Sequence, residues 1–216
     1  MREQRPAARI LIADDHRLMA DACKNFLEPE FSVVGIVTDG RHLADAVAKL
    51  RPDIILLDIY MPRLNGLDAG EQVKKKYPTI KLVFLTMTLA ADVAAEAFRR
   101  GASGYILKQS AGTELLLAVR KINRGESYLS PLVAKETVTF LLNQGTSFAA
   151  EKRITQRQSE ILQLLAEGLS MKQIADVIEV KPGTVAFHKY RMMETLNIST
   201  NAELLGYALK HQMIAS

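Results

Sequence analysis

The 216-residue chain carries 28 Lys+Arg against 24 Asp+Glu, a formal net charge of +4, with 48% hydrophobic and 24% charged residues, ordinary for a soluble globular protein and long enough for two domains. The single Cys23 excludes an intramolecular disulfide, and no stretch approaches the ~18 apolar residues of a transmembrane span, so a reducing, cytoplasmic setting with no membrane partner is expected. The basic excess is +3 over residues 1–123, 0 over 124–150 and +1 over 151–216, so charge alone nominates no nucleic-acid-binding region.

Residues 9–13 form a short apolar run ending in Asp14 and Asp15, which predicts a strand with carboxylates at its tip. Residues 18–27 have helical spacing, with Leu18, Ala22, Phe26 and Leu27 on one face. Residues 33–37 read as a strand, and 40–50 as an amphipathic helix through Leu43, Val47 and Leu50. Four apolar residues, Ile54 to Leu57, then lie between Pro52 and the Met61-Pro62 pair, the pattern of a strand buried on both faces as in a parallel sheet. Asp58 stands at its end. Helices over 66–76, 90–100 and 113–123 alternate with strands over 81–86 and 104–107. Five strands alternating with five helices predict a five-stranded doubly wound parallel α/β sheet, a domain over residues 8–123.

In an open α/β sheet the carboxyl ends of the strands line the ligand crevice. Asp14, Asp15, Asp58, Thr86 and Lys108 all fall at such ends, so three carboxylates, a hydroxyl and an ammonium should meet at one rim. Carboxylates that close cannot all stay ionised without a counter-ion, and Mg²⁺ is the natural neutraliser. A carboxylate nucleophile beside a metal and a lysine suits acceptance of a phosphoryl group as an acyl phosphate. Taken singly, each residue has a commoner role: Asp58 or Asp14 as a helix cap, Thr86 as a strand residue, Lys108 as a solvated lysine, Tyr105 as a core aromatic. His16 reads as a first-turn helix residue, because Mg²⁺ prefers oxygen.

Asp14 and Asp15, Asp58 within Asp-Ile-Tyr-Met-Pro, Gly66, Thr86 and the run from Gly101 to Lys108 together resemble the receiver domain of a two-component response regulator. The resemblance implies that Asp58 takes a phosphoryl group from a phosphohistidine on a partner histidine kinase. It implies that Asp15, Asp58 and the Tyr60 carbonyl hold Mg²⁺, with Asp14 acting largely through metal-bound water. Lys108 would pair with the phosphoryl oxygens, Thr86 would hydrogen-bond to one, and Tyr105 would turn inward as the threonine moves. Such a protein assists its own phosphoryl transfer and dephosphorylation without being a dedicated enzyme.

Residues 124–150, punctuated by Gly125, Ser130, Pro131, Gly145 and Ser147, read as a linker. It is predicted to hold one helix over 132–142, through Val133, Thr137, Phe140 and Leu141, and a flexible tether over 144–150. Residues 151–216 repeat one helix-start signature, the capping box: Thr155 with Gln158, Ser170 with Gln173, Thr200 with Glu203. Apolar periodicity follows each, through Ile161, Leu164 and Leu165, then Ile174, Val177 and Ile178, then Leu204, Leu205 and Ala208. A further helix starts at Pro182 and runs through Val185, His188 and Met192. Four short helices with a tight bend before Pro182 predict an all-α helix-turn-helix domain whose helix 182–197 enters a major groove. The stretch from Ile154 to Gly168, with Ile174, Ala175, Thr184, Val185, His188 and Leu196, resembles the LuxR-type output domain.

That resemblance implies transcription regulation, with double-stranded DNA as partner and homodimers when phosphorylated or DNA-bound. Family members often carry serine where Lys181 stands; lysine cannot cap through its side chain, which leaves the helix N–H groups and the ammonium for a DNA phosphate. Base-reading positions fall on Ala186, Phe187 and Tyr190; the first two suit thymine methyls, while Lys189 and Arg191 suit phosphates. Thr184, Val185 and His188 complete the expected interface. Two rivals remain: a ligand- or protein-sensing regulator with the same output domain and no phosphorylation, and an aspartate-nucleophile phosphatase. The phosphatase would want a second Asp two residues on, where Tyr60 stands.

Overall fold

The structure, a computed structural model, describes residues 7–144, 154–211 and 213. Among the described residues one parallel sheet has the order β2-β1-β3-β4-β5-β6, built from β1 (Arg9–Ala13), β2 (Ser32–Val37), β3 (Ile54–Asp58), β4 (Lys81–Thr86), β5 (Ala102–Leu107) and β6 (Tyr128–Leu129). Helices α1 (Arg17–Leu27), α2 (Leu43–Leu50), α3 (Gly66–Lys76), α4 (Ala91–Arg99) and α5 (Ala111–Asn123) connect the first six strands. Alternation along β3 divides the core: Ile55 and Leu57 face the side holding Leu43, Val73 and Ala94, while Ile54 and Leu56 face Cys23, Leu27 and Leu115. All four are at most 1% exposed, so each contributes roughly 1.5–3 kcal/mol and fixes β3 at the sheet's centre.

The sheet differs from the expected five strands by β6, which pairs Tyr128 with Gly104 and Leu129 with Tyr105. A two-residue strand leaves no periodic trace in sequence. The buried face of α1 is Ala20, Cys23 and Leu27; Leu18, expected on the same face as Leu27, is 89% exposed, and Phe26 is half-exposed. Small residues let α1 lie close to the sheet, and that proximity overrides the bulkier stripe. The linker helix α6 (Pro131–Gln144) packs on α4 through buried Val133 and Thr137. The side chains of Phe140 and Leu141, and residues 145–150 of the expected tether, lie outside the described residues.

The second unit contains α7 (Gln156–Ala166), α8 (Met171–Val177), α9 (Pro182–Leu196) and α10 (Asn201–Lys210). All three capping boxes form with both reciprocal bonds. Gly168, at φ +88°, ends α7 as a C′ glycine, and Glu179, at φ +55°, makes the bend before α9. Ile161, Leu164, Ile174, Ile178 and Val185 form one core cluster and Leu162, Met192, Leu204 and Ala208 a second; Leu205, expected inside, is 39% exposed.

α7 lies against the first domain on a polar, buried seam. Gln163 donates from Nε2 to the Met61 carbonyl at 2.8 Å and accepts from the Asn65 amide at 2.7 Å, clamping the loop between β3 and α3. Ser159 donates to Asp68 Oδ2 at 2.5 Å, and Asp68 Oδ1 pairs with Arg100 at 2.6 Å. Arg41 reaches Glu160 and the Val177 carbonyl.

Candidate functional site

Strands β1, β3, β4 and β5 end at one rim, which brings Asp14, Asp58, Thr86 and Lys108 together. Lys108 Nζ lies 2.7 Å from Asp58 Oδ2 and 2.8 Å from Asp14 Oδ2, and all three side chains are buried. Asp14, Asp15, His16 and Asp58 offer ligand atoms within 4.8 Å of one another. Three carboxylates against one ammonium leave the cluster with an excess of two negative charges when ionised. Asp14 Oδ2 has no well-directed hydrogen bond of its own beyond that ion pair. A hard divalent cation with oxygen preference fits this donor set, and the partly exposed Asp15 leaves room for water ligands. His16, read as a first-turn residue, is the N-cap of α1, and its Nδ1 sits 2.9 Å from Asp15.

Burial, the largest cause, pushes the Asp58 carboxyl up to about 6 although Lys108 pulls it down. It is still largely the anion at neutral pH, the form a nucleophile needs. For Lys108 the pull of burial towards lower pKa is outweighed by Asp58 and Asp14, which hold the ammonium above its usual range. The Tyr60 amide donates to Asp58 Oδ1 at 3.2 Å, fixing the carboxylate's rotation. Gly66 is required close by: a Cβ there would lie 1.9 Å from the Asp58 carbonyl oxygen, so only glycine lets α3 start against the acceptor strand.

Thr86 is fully buried, and its Oγ1 accepts from the Thr88 amide at 3.2 Å. Tyr105 is also fully buried, its hydroxyl donating to the Thr88 carbonyl at 3.1 Å, and burial raises its pKa well above the ordinary value. The threonine and tyrosine therefore bond to the same residue, Thr88, in the segment after β4. β6 and Val133 of α6 pack over the Tyr105 edge of the sheet.

On α9, Lys181 is the N-cap without a side-chain capping bond. Thr184, Phe187, His188 and Arg191 share one outward face at helical spacing, with Phe187 60% and Tyr190 63% exposed beside the half-buried Ala186. Two expected interface residues are corrected. Val185 is fully buried in the helical core, and Lys189 is largely covered, its ammonium 5.7 Å from the Tyr190 ring, so neither presents to a groove. Sequence reasoning also passed over Gln163 and Ser159. Their polar i, i+4 spacing on α7 reads as a solvated stripe until the first domain is seen to cover it.

A family model described as the response regulator receiver domain matches residues 10–120, and one for bacterial regulatory proteins of the luxR family matches residues 152–208. The chain is 34% identical to the oxygen regulatory protein NreC of Staphylococcus epidermidis over 95% of this chain and 99% of the relative. It is 29% identical to the transcriptional regulatory protein DegU of Brevibacillus brevis, covering 94% of this chain and 93% of that one. Among solved structures, the RcsB response regulator of Salmonella enterica serovar Typhimurium, bound to a promoter in the presence of a phosphomimetic, is similar at 25% identity and a TM-score of 0.60, covering 93% of this chain and 97% of that chain.

Proposed function

The chain belongs to the two-component response regulators, with a receiver domain and a luxR-type DNA-binding output domain, and on that footing we propose that phosphorylation of Asp58 switches its binding to DNA. The domains run over residues 8–123 and 151–216, joined by a linker over 124–150. The observation that carries the reading is the 2.7 and 2.8 Å pairing of Lys108 with both Asp58 and Asp14 at the sheet rim.

A partner histidine kinase supplies the phosphoryl group. Its N–P bond breaks, an Asp58 Oδ–P bond forms, and the electron pair returns to the imidazole nitrogen, which then takes a proton. Asp14, Asp15, Asp58 and the Tyr60 carbonyl would hold Mg²⁺, which when bound neutralises charge on the phosphoryl oxygens. Lys108 keeps its ammonium against the transferred group and orients it. The Thr86 hydroxyl turns from the Thr88 amide to a phosphoryl oxygen, and Tyr105, already turned inward, stays bonded to the Thr88 segment as that segment moves. The acceptor is its own product, so the protein is a regulator and not a dedicated enzyme.

A two-state receiver then changes how the output domains pair. Homodimers in the cytoplasm would place two α9 helices on paired half-sites. Lys181 and the Gly183 amide at the start of α9 meet a phosphate, as does Arg191, while Ala186, Phe187 and Tyr190 read base edges with Thr184 and His188 beside them. Selection from a random duplex library, with and without a small phosphodonor and Mg²⁺, tests the reading. The wild type should enrich a paired half-site more strongly with donor, and Asp58→Asn should not respond. Equal enrichment by both proteins under both conditions would contradict it.

A further inference from the structure

Ser130 sits between the receiver and the linker helix, fully buried, and the phosphoryl chemistry described above makes no use of it. Its backbone amide donates to the Tyr105 carbonyl at 2.9 Å, and its Oγ accepts from the Leu107 amide at 3.1 Å. One residue thus brackets the last residues of β5, from the switch tyrosine to the residue that precedes Lys108. The β5–β6 ladder ends at Leu129, and because the Ser130 carbonyl is turned to the Val133 amide, the hydroxyl supplies the acceptor for Leu107. The hydroxyl has one proton, and that proton goes to Glu114 Oε2 at 2.5 Å; Glu114 is held in turn by the Tyr128 hydroxyl at 3.1 Å. With its donor committed to Glu114, the Ser130 oxygen can only accept, and its lone pair is aimed at Leu107.

We propose that Ser130 is a positioning residue for Lys108, acting through the Leu107 amide to fix the strand end from which the ammonium reaches Asp58 and Asp14. The inference rests on the reading of Asp58 as the phosphoryl acceptor. Lys108 follows Leu107 directly and must span two carboxylates at once, so a small rotation of the strand end lengthens both contacts. Without the hydroxyl the buried Leu107 N–H has no partner, and the strand end must turn to find one. Displacements of about 1 Å in a group aligned with a reacting centre cost up to roughly a hundredfold in rate. Ser130 also begins α6: its carbonyl accepts from the Val133 amide at 3.0 Å, and Val133 packs in the core that holds Tyr105. The linker helix and Lys108 therefore hang from one residue, and the position of either is felt by the other.

The test measures adduct formation on the full chain by intact mass, over a range of phosphoramidate concentrations with Mg²⁺, well below the melting temperature of each variant. Ser130→Ala should lower the maximal rate about tenfold while leaving the half-saturating donor concentration within twofold, because Ser130 touches neither donor nor cation. Tyr128→Phe, which removes the second partner of Glu114 but keeps the Ser130 bracket, should stay within twofold of wild type on both parameters. An unchanged maximal rate in Ser130→Ala, with the wild type phosphorylated, overturns the inference and leaves the function standing. An equal loss in Tyr128→Phe also overturns it, since the effect would then come from general loosening of β6. No adduct on the wild type overturns the function and the inference together.

Discussion

Gln163→Ala should release the output domain from the receiver. The side chain is 2% exposed and satisfies two groups of the other domain, the Met61 carbonyl at 2.8 Å and the Asn65 amide at 2.7 Å. Alanine leaves both backbone groups buried without a partner in the docked form, at about 1–2 kcal/mol each, whereas in the open form water satisfies them. The docked state therefore loses about 2–4 kcal/mol relative to the open one, a shift of roughly 30- to 1,000-fold in their ratio at about 1.4 kcal/mol per tenfold. The Ser159–Asp68 bond and the Arg41 contacts with Glu160 and the Val177 carbonyl are the same before and after the change, so none of them offsets the loss. Small-angle scattering at several protein concentrations reads the change. The radius of gyration of unphosphorylated Gln163→Ala should rise above that of wild type, and calorimetry should resolve two transitions. Lys172→Ala, on the exposed face of α8, should match wild type. Identical scattering from Gln163→Ala and wild type would show that this clamp does not hold the domains together.

Three further outcomes are expected. Burial, helped by Asp14, pushes the Cys23 thiol from 9.0 up to about 11, so the folded state binds more protons than the unfolded between those values; stability is full below pH 9 and falls by roughly 2–3 kcal/mol as pH rises through 11. Denaturant titrations in reducing buffer should show that fall in wild type and a correspondingly shallower one in Cys23→Ala; parallel pH profiles would refute the assignment. Gly66→Ala drives a methyl into the Asp58 carbonyl, and should cost about 3 kcal/mol in chemical denaturation and slow adduct formation at least tenfold; a variant as stable as wild type would show that α3 can retreat. Phe187→Ala, on the exposed face of α9, should relax discrimination at one base position by about 1 kcal/mol in competition binding, and a retained preference would remove the thymine contact.

The strand tips were legible because each apolar run ends in the residue whose chemistry matters: Asp58 follows four core residues, and the strand itself aims the carboxylate at the rim. The capping boxes were legible for the same local reason, since Thr155, Ser170 and Thr200 bond within three residues of themselves. What depended on distant partners was not. Leu18 looks like a core residue until α5 and the sheet are seen to take Ala20 and Cys23 instead. Lys189 looks like a phosphate ligand until the packing of α9 covers it, and Gln163 looks solvated until a loop a hundred residues away closes over it. β6 needed the β5 edge before two residues could be a strand.

Regulation by this chain depends on Asp58 accepting a phosphoryl group. Incubation of the full chain with phosphoramidate and Mg²⁺, followed by intact mass and peptide mapping, should give one phosphoryl adduct per chain, on the peptide holding Asp58, labile to hydroxylamine as an acyl phosphate is, and absent from Asp58→Asn. A wild type that stays unmodified, or an adduct that persists in Asp58→Asn, would contradict it.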